Sequence, residues 1–252
     1  MKLVVSKATL RVLLLAIILG ALLTAAISAI PDGATVAVGK PQTKNVSAPQ
    51  NVTAQGGNIT EVNITDNTQT QVWQGFWGTV NGSIVLQDAA AATFYRWNVF
   101  NISGEVYASR LSSVNFANIK PDNNCSDDNS LTGFGFSDSV NNTYTNNTNR
   151  FIQVGTVAIN ASTACAVYTF VNSSAQSSFF QDIILTDTLN TNITNGSTSV
   201  GGNTTVYATP IEGNISGYNG LNRTGLVGTY QLLVPVNRTA GFNTYFFYAE
   251  IG

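Results

Sequence analysis

Phe94-Tyr95-Arg96-Trp97-Asn98-Val99 sets Tyr95, Trp97 and Val99 on one face of an extended chain. A period of two carried by aromatic and β-branched side chains marks a β-strand rather than a helix. The pattern recurs in both directions. Upstream, Ser83-Ile84-Val85-Leu86 ends at Asp88, and downstream Glu105-Val106-Tyr107-Ala108 follows a turn at Gly104. Further strand signals run over residues 151–159, 164–171, 179–185, 204–208, 229–236 and 243–251, with Gly, Asn and Asp at their boundaries. Beyond the first thirty residues no window sustains a helical period. The expected fold is all-β, an antiparallel β-sandwich of immunoglobulin-like or jelly-roll kind preceded by an N-terminal hydrophobic helix.

Three segments divide the 252 residues. Residues 1–29 carry Lys2, Lys7 and Arg11, then an apolar run that Pro31, Asp32 and Gly33 bring to an end. Such a stretch reads as a cleaved export signal, an uncleaved membrane anchor, or a pilin-type helix. Small residues at Ala26 and Ser28, or at Thr24 and Ala26, suit a peptidase cut. All three readings put the rest of the chain outside the cell, with membrane contact only through this segment. Residues 30–70 form an arm of short alternating pieces, Thr35-Val36-Ala37-Val38 and Glu61-Val62-Asn63-Ile64, split by Pro41, Pro49 and Gly56-Gly57. Residues 71–252 form the β-sandwich domain.

Composition removes whole classes of function. Charged residues are 10% of the chain, against about 25% in ordinary domains. The net charge of −2 falls to −5 once Lys2, Lys7 and Arg11 leave with the first 29 residues. The remaining basic residues are scattered, so no face exists to displace phosphate counterions, and nucleic acid is excluded as a partner. There is no histidine. Ser–His and Cys–His nucleophiles, and most zinc and haem sites, go with it. No cofactor is expected.

Asn-x-Ser/Thr sequons are the most frequent local signal. They stand at Asn45, Asn51, Asn58, Asn63, Asn81, Asn101, Asn124, Asn141, Asn146, Asn160, Asn172, Asn192, Asn195, Asn203, Asn214, Asn222 and Asn237. An Asn- and Thr-rich chain makes such triplets by chance, but the export segment supplies the compartment in which they are used. N-linked glycans on an extracellular, cell-surface protein are expected. In that compartment Cys125 and Cys165 are expected to form a disulfide, closing a loop of about 40 residues worth roughly 3–4 kcal/mol.

The other chemistry is sparse. The acidic turn from Asp122 through Asp127 and Asp128 to Asn129 offers oxygen ligands for calcium, yet lacks an Asp-x-Asp-x-Asp-Gly loop, and a solvated turn is the simpler reading. Glu61, Glu105, Asp182 and Asp187 are available for paired-carboxylate hydrolysis, but no spacing brings two together. Lys40, Lys44 or Lys120 would serve a Lys–Asn crosslink only through a pattern too generic to use. Trp73, Phe76, Trp77, Tyr95 and Trp97 form either core or a sugar-stacking platform.

Trp73-Gln74-Gly75-Phe76-Trp77-Gly78-Thr79-Val80-Asn81-Gly82, Phe94-Tyr95-Arg96-Trp97 and Gly104-Glu105-Val106-Tyr107-Ala108-Ser109 carry a resemblance. Tyr230-Gln231-Leu232-Leu233-Val234-Pro235-Val236 and Tyr245-Phe246-Phe247-Tyr248-Ala249-Glu250-Ile251 extend it. Over about residues 60–252 the chain resembles a group of largely uncharacterised archaeal exported β-rich surface proteins. The resemblance implies an envelope or filament protein and carries over no catalytic residue. The arm is similar in style to that of archaeal filament subunits joined by donor-strand exchange, with Ala34, Thr35, Val36, Ala37 and Val38 as the donor; an edge strand of its own domain is the alternative. The expectation is a non-enzymatic, self-associating subunit of a pilus, thread-like filament or surface layer, a homopolymer. The rival is a secreted carbohydrate-binding or adhesion module.

Overall fold

A computed structural model describes residues 30–39, 41, 43, 48–65, 69–97, 102–122, 143–146, 151–155, 157–160, 164–171, 174–175, 181–187, 193–195, 198–200, 204–212, 228–236 and 243–252. The described elements are antiparallel strands and a single 3-10 turn, Phe116–Asn118. The first strands are β1 (Asp32–Gly33), β2 (Trp73–Gly78), β3 (Ile84–Gln87), β4 (Thr93–Trp97), β5 (Gly104–Ser109), β6 (Ile119–Pro121) and β7 (Thr145–Asn146). Then come β8 (Phe151–Val154), β9 (Val157–Asn160), β10 (Cys165–Tyr168), β11 (Phe170–Val171), β12 (Ser174–Ala175) and β13 (Gln181–Asp187). The chain closes with β14 (Ile193–Asn195), β15 (Thr198–Val200), β16 (Thr204–Pro210), β17 (Tyr230–Pro235) and β18 (Phe246–Ile251).

Eight strands make one sheet in the order β1-β18-β5-β16-β13-β10-β7, with β6 also on β13. β13 is its hub. One edge pairs Ile183 to Asp187 with Ala208 to Thr204 of β16. The other edge is shared: β10 pairs up to Ile183 and β6 pairs from Leu185 onward. Asp122 seals the gap, its N–H donating to Ile184 O at 3.0 Å while its carbonyl accepts from Cys165 N at 2.7 Å.

This sheet is covered on both faces, and the alternation of side chains shows it. Tyr107, Ile183, Leu185, Val206, Ala208 and Tyr248 point to one core, which Ile152, Val154 and Ile159 of the β8–β9 hairpin cover together with Phe116 and Ile119. Ala108, Ile184 and Tyr207 point to the other, covered by Leu232 and Val234 of the β2–β17 pair, with Trp73 and Phe76 packed beside them. Double coverage is why every residue of β13 is buried, and why Ile183-Ile184-Leu185 at its centre are apolar in succession rather than in alternation.

The expected all-β antiparallel class holds. Two details differ from the sequence reading. Residues 73–78 form a strand although Gly75 and Gly78 blur its period, because six residues of β17 pair with it in full register. The alternating arm pieces at 35–38 and 61–64 stand unpaired, with only β1 and the Ala34 N–H tied to β18. The hydrophobic segment 1–29 lies outside the described residues. Among those described, no helix is long and apolar enough to cross a membrane.

Candidate functional site

Three of the acidic side chains are buried, and each accepts a backbone N–H from an element packed on the central sheet. Glu250 of β18 takes the Gly155 N–H on both carboxylate oxygens, at 3.1 and 2.9 Å, and the Tyr107 hydroxyl at 3.1 Å. Gly155, with φ +56, is the turn of the β8–β9 hairpin, so one carboxylate holds that hairpin to the sheet. Asp187 accepts the Asn115 N–H at 2.8 Å, just before the 3-10 turn. Asp182 accepts the Leu233 N–H at 2.7 Å.

Asp182 belongs to a larger device. β17 bonds β2 along one edge, and its opposite edge meets side chains instead of a strand. Thr209 Oγ1 donates to Gln231 O at 2.7 Å, Tyr144 Oη to Leu233 O at 2.7 Å, and Tyr245 Oη to Pro235 O at 2.7 Å. With Asp182 on Leu233 N, alternate backbone groups of that edge are satisfied, which closes it to strand addition. Burial pushes the Asp182 carboxyl well above the usual carboxylate range, against the pull of the Thr209 hydroxyl and the Leu233 amide. Its Oδ1 has no hydrogen-bond partner. A neutral acid suits that environment better than an unpaired buried charge.

Of the four acids considered for paired-carboxylate hydrolysis, the described geometry brings no two together. Asp182 and Asp187 lie five residues apart on β13 and serve opposite faces, while Glu61 stands exposed in the arm. Glu105 lies directly across β5–β18 from Glu250, whose oxygens are committed to Gly155 and Tyr107. Among the described residues no group of three or more His, Cys, Asp or Glu side chains converges on a metal position. Of the acidic turn from Asp122 to Asn129 only Asp122 is described.

Of the two cysteines expected to form a disulfide, only Cys165 lies among the described residues. Cys125 lies outside the described residues, so no disulfide joins two described residues. What is described is Cys165 alone: fully buried on β10, and not a free thiol. Of the sequons, Asn51, Asn58, Asn63 and Asn81 are exposed. Asn146, Asn160 and Asn195 fall on β7, β9 and β14. Asn45, Asn101, Asn124, Asn141, Asn172, Asn192, Asn203, Asn214, Asn222 and Asn237 lie outside the described residues. Lys120 is exposed on β6, and Lys40 and Lys44 are outside the described set.

The aromatic set divides. Trp73 stacks tilted on Tyr144 at 5.9 Å, and Phe76 meets Phe247 edge-on at 5.2 Å, both against the second core. Trp77 is half-buried on β2. Tyr95 and Trp97 are exposed on the β3–β4 hairpin, edge to face at 4.9 Å. The two rings are not coplanar.

Several exposed side chains are large and apolar. The arm is anchored where Asp32 and Gly33 pair with Ala249 and Tyr248, and where Ala34 N donates to Phe247 O at 3.0 Å. Ala34 of the expected donor stretch is therefore bound within its own subunit. Past it Val36, Val38, Val52, Ile59, Val62 and Ile64 are exposed, Val38 at 88%. The β3–β4 hairpin is exposed as well, Phe94 at 85%. The clamping roles of Asp182, Glu250 and Tyr144 escape a sequence reading. The one available signal is an acid abutting an apolar run, as in Asp182-Ile183-Ile184-Leu185. No family model, curated protein or solved structure matches the chain.

Proposed function

We propose that the chain is the N-glycosylated structural subunit of an extracellular cell-surface assembly: a pilus, thread-like filament or surface layer. In this reading the stacked layers are a sandwich of immunoglobulin-like or jelly-roll kind behind an N-terminal hydrophobic helix, which alone touches the membrane. The observation that carries it is the arm, rooted by two residues on the edge of β18 and then extended, with apolar side chains in solvent. A monomer gains nothing from such a segment. A second copy gains strand pairing and apolar burial, and a head-to-tail contact of that kind propagates into an open polymer. The buried carboxylates support the same reading, since they are committed to clamping the fold. With charged residues at 10%, glycans would provide the solubility that charge does not.

Deleting residues 35–39 leaves the root on β18 in place and tests the arm directly. The expected result is loss of polymers by negative-stain microscopy, with the thermal midpoint of the monomer unchanged. Polymers at wild-type yield would end the arm's role. One observation favours a second reading, a carbohydrate-binding module: Tyr95 and Trp97 are both solvent-accessible. Glycan-array binding that vanishes in Trp97→Ala, with folding intact, would be its signature.

A further inference from the structure

The β3–β4 hairpin carries an apolar face whose four large side chains are 44–56% exposed. Ile84 lies across from Trp97 and Leu86 across from Tyr95, so these four side chains share one face, and all four are exposed. Val85 and Arg96 pair on the opposite face. Among the described residues the hairpin is a sheet of two strands. Two strands without a covered face are marginal in water, and a patch of this composition on a soluble protein marks a contact.

The sequons show where contacts are permitted. Residues 82–100, 102–123 and 173–191 are three of the longest intervals free of them. The second and third hold β5, β6 and β13, strands of the doubly covered sheet, where a glycan has no room. The first holds the exposed hairpin, so burial within the subunit does not account for its bareness. The arm is divided in the same way. Asn45, Asn51, Asn58 and Asn63 crowd its outer part, while residues 34–44 contain no sequon. That bare stretch includes Val36 and Val38, two residues apart and hence on one side of an extended chain, and residues 34–39 carry no charge.

We propose that the Ile84, Leu86, Tyr95 and Trp97 face of one copy is the docking surface for residues 35–39 of the arm of a second copy. The proposal rests on the assembly reading above and assigns its acceptor. Both surfaces are neutral and apolar, so docking desolvates no charge, and both lie where no glycan intervenes. The outer arm, with its sequons, stays in solvent.

Ala91, at the hairpin turn with φ +62, provides the test. Ala91→Asn is sterically suited to that left-handed conformation and, with Ala92 and Thr93 following, completes a sequon. Expressed in the native host, it is expected to gain the mass of one glycan and to lose at least about tenfold in pelletable polymer, with an unchanged thermal midpoint. Ala91→Asn combined with Thr93→Ala restores polymer at wild-type yield. Leu86→Glu needs no sugar and is expected to give the same tenfold loss from a folded monomer. A photo-crosslinking residue in place of Val38 is expected to trap peptide 84–97 of another copy. Wild-type polymer yield from Leu86→Glu, or crosslinks that fall elsewhere on the second copy (hairpin packed on hairpin included), overturns this docking surface and leaves the assembly reading standing. A wild-type protein monomeric in native surface material brings down both.

Discussion

Ile183-Ile184-Leu185 and Ile84-Val85-Leu86 are nearly the same peptide, and they have opposite fates. The first is the middle of β13, where strands bond both edges and side chains fill a core above and below. The second is β3, bonded on one edge to β4, with Ile84 and Leu86 in solvent. Strand propensity is equal in the two, so it does not decide burial. Neighbours in the topology do: β13 sits at the sheet's hub, while among the described strands β3 pairs with β4 alone. The comparison locates stability in one region and leaves the other available for a partner.

The same truncation made in both places measures the difference. Leu185→Ala removes a fully buried side chain from a packed core and is expected to cost about 3–5 kcal/mol by denaturant unfolding. Leu86→Ala removes one that is 52% exposed and is expected to stay within about 0.5 kcal/mol in the monomer. Equal costs would mean the hairpin is packed in the folded monomer, and the contrast would dissolve.

The second difference is in how polar groups are handled. Asp182, on β13, is wholly buried, and its carboxyl titrates well above a solvated one. The folded state therefore holds a proton that the unfolded state has released, so stability is full below the ordinary carboxyl pKa of about 3.9 and falls as pH rises toward the folded value. The slope reaches up to about 1.4 kcal/mol per pH unit. Asp182→Asn keeps the shape and cannot ionise, and is expected to flatten this dependence in urea titrations run from pH 4 to pH 8. An unchanged slope would show that Asp182 is not its source. Arg96, on the hairpin, gives the matching control, since Arg96→Gln is expected to leave the slope as it is.

How far each region was legible follows from the same contrast. Period-two patterns with β-branched and aromatic residues marked β5, β16 and β18 as strands, although these too send side chains to both cores. Asp182-Ile183-Ile184-Leu185 also reads as a strand, but which of its sides is buried is undefined in the sequence, because both are. β2 was missed as a strand since Gly75 and Gly78 contribute no side chain to the period, and its register comes from β17, more than 150 residues away. The candidate surfaces were half legible. The alternation in residues 35–38 suggested a strand, donated to another subunit or at an edge of its own domain, whereas within the subunit that stretch stands unpaired. The exposure of Tyr95 and Trp97 was illegible, because aromatic residues at strand spacing are core far more often than surface. Asp182 read as an ordinary surface or turn acid and Glu250 drew no reading, since only the fold brings Leu233 and Gly155 to them.

Tyrosines extend the comparison at smaller amplitude. Tyr144 is fully buried and its hydroxyl is the donor to Leu233 O on the closed edge of β17. Tyr144→Phe keeps the ring and leaves that carbonyl unsatisfied, for an expected loss of about 1–3 kcal/mol. Tyr95→Phe, in solvent, is expected to change stability by less than about 0.5 kcal/mol. Chemical denaturation of the two variants side by side checks the pair.

The smallest effect is the most local. Ala91 has a positive φ at the hairpin turn, a conformation that costs a residue with a Cβ about 1–2 kcal/mol. Ala91→Gly removes that strain and gives back roughly 0.5–1 kcal/mol in chain entropy, for a net gain of about 0.5–1 kcal/mol. A two-stranded hairpin without a covered face opens on its own, independently of the global unfolding that β13 resists. The gain is therefore expected in the hairpin alone: amide exchange over residues 84–97 slowed about two- to fivefold, and the midpoint for unfolding of the whole chain unmoved. A rise in that midpoint would mean the hairpin unfolds together with the core, and it would then be no free surface for a second copy to fill.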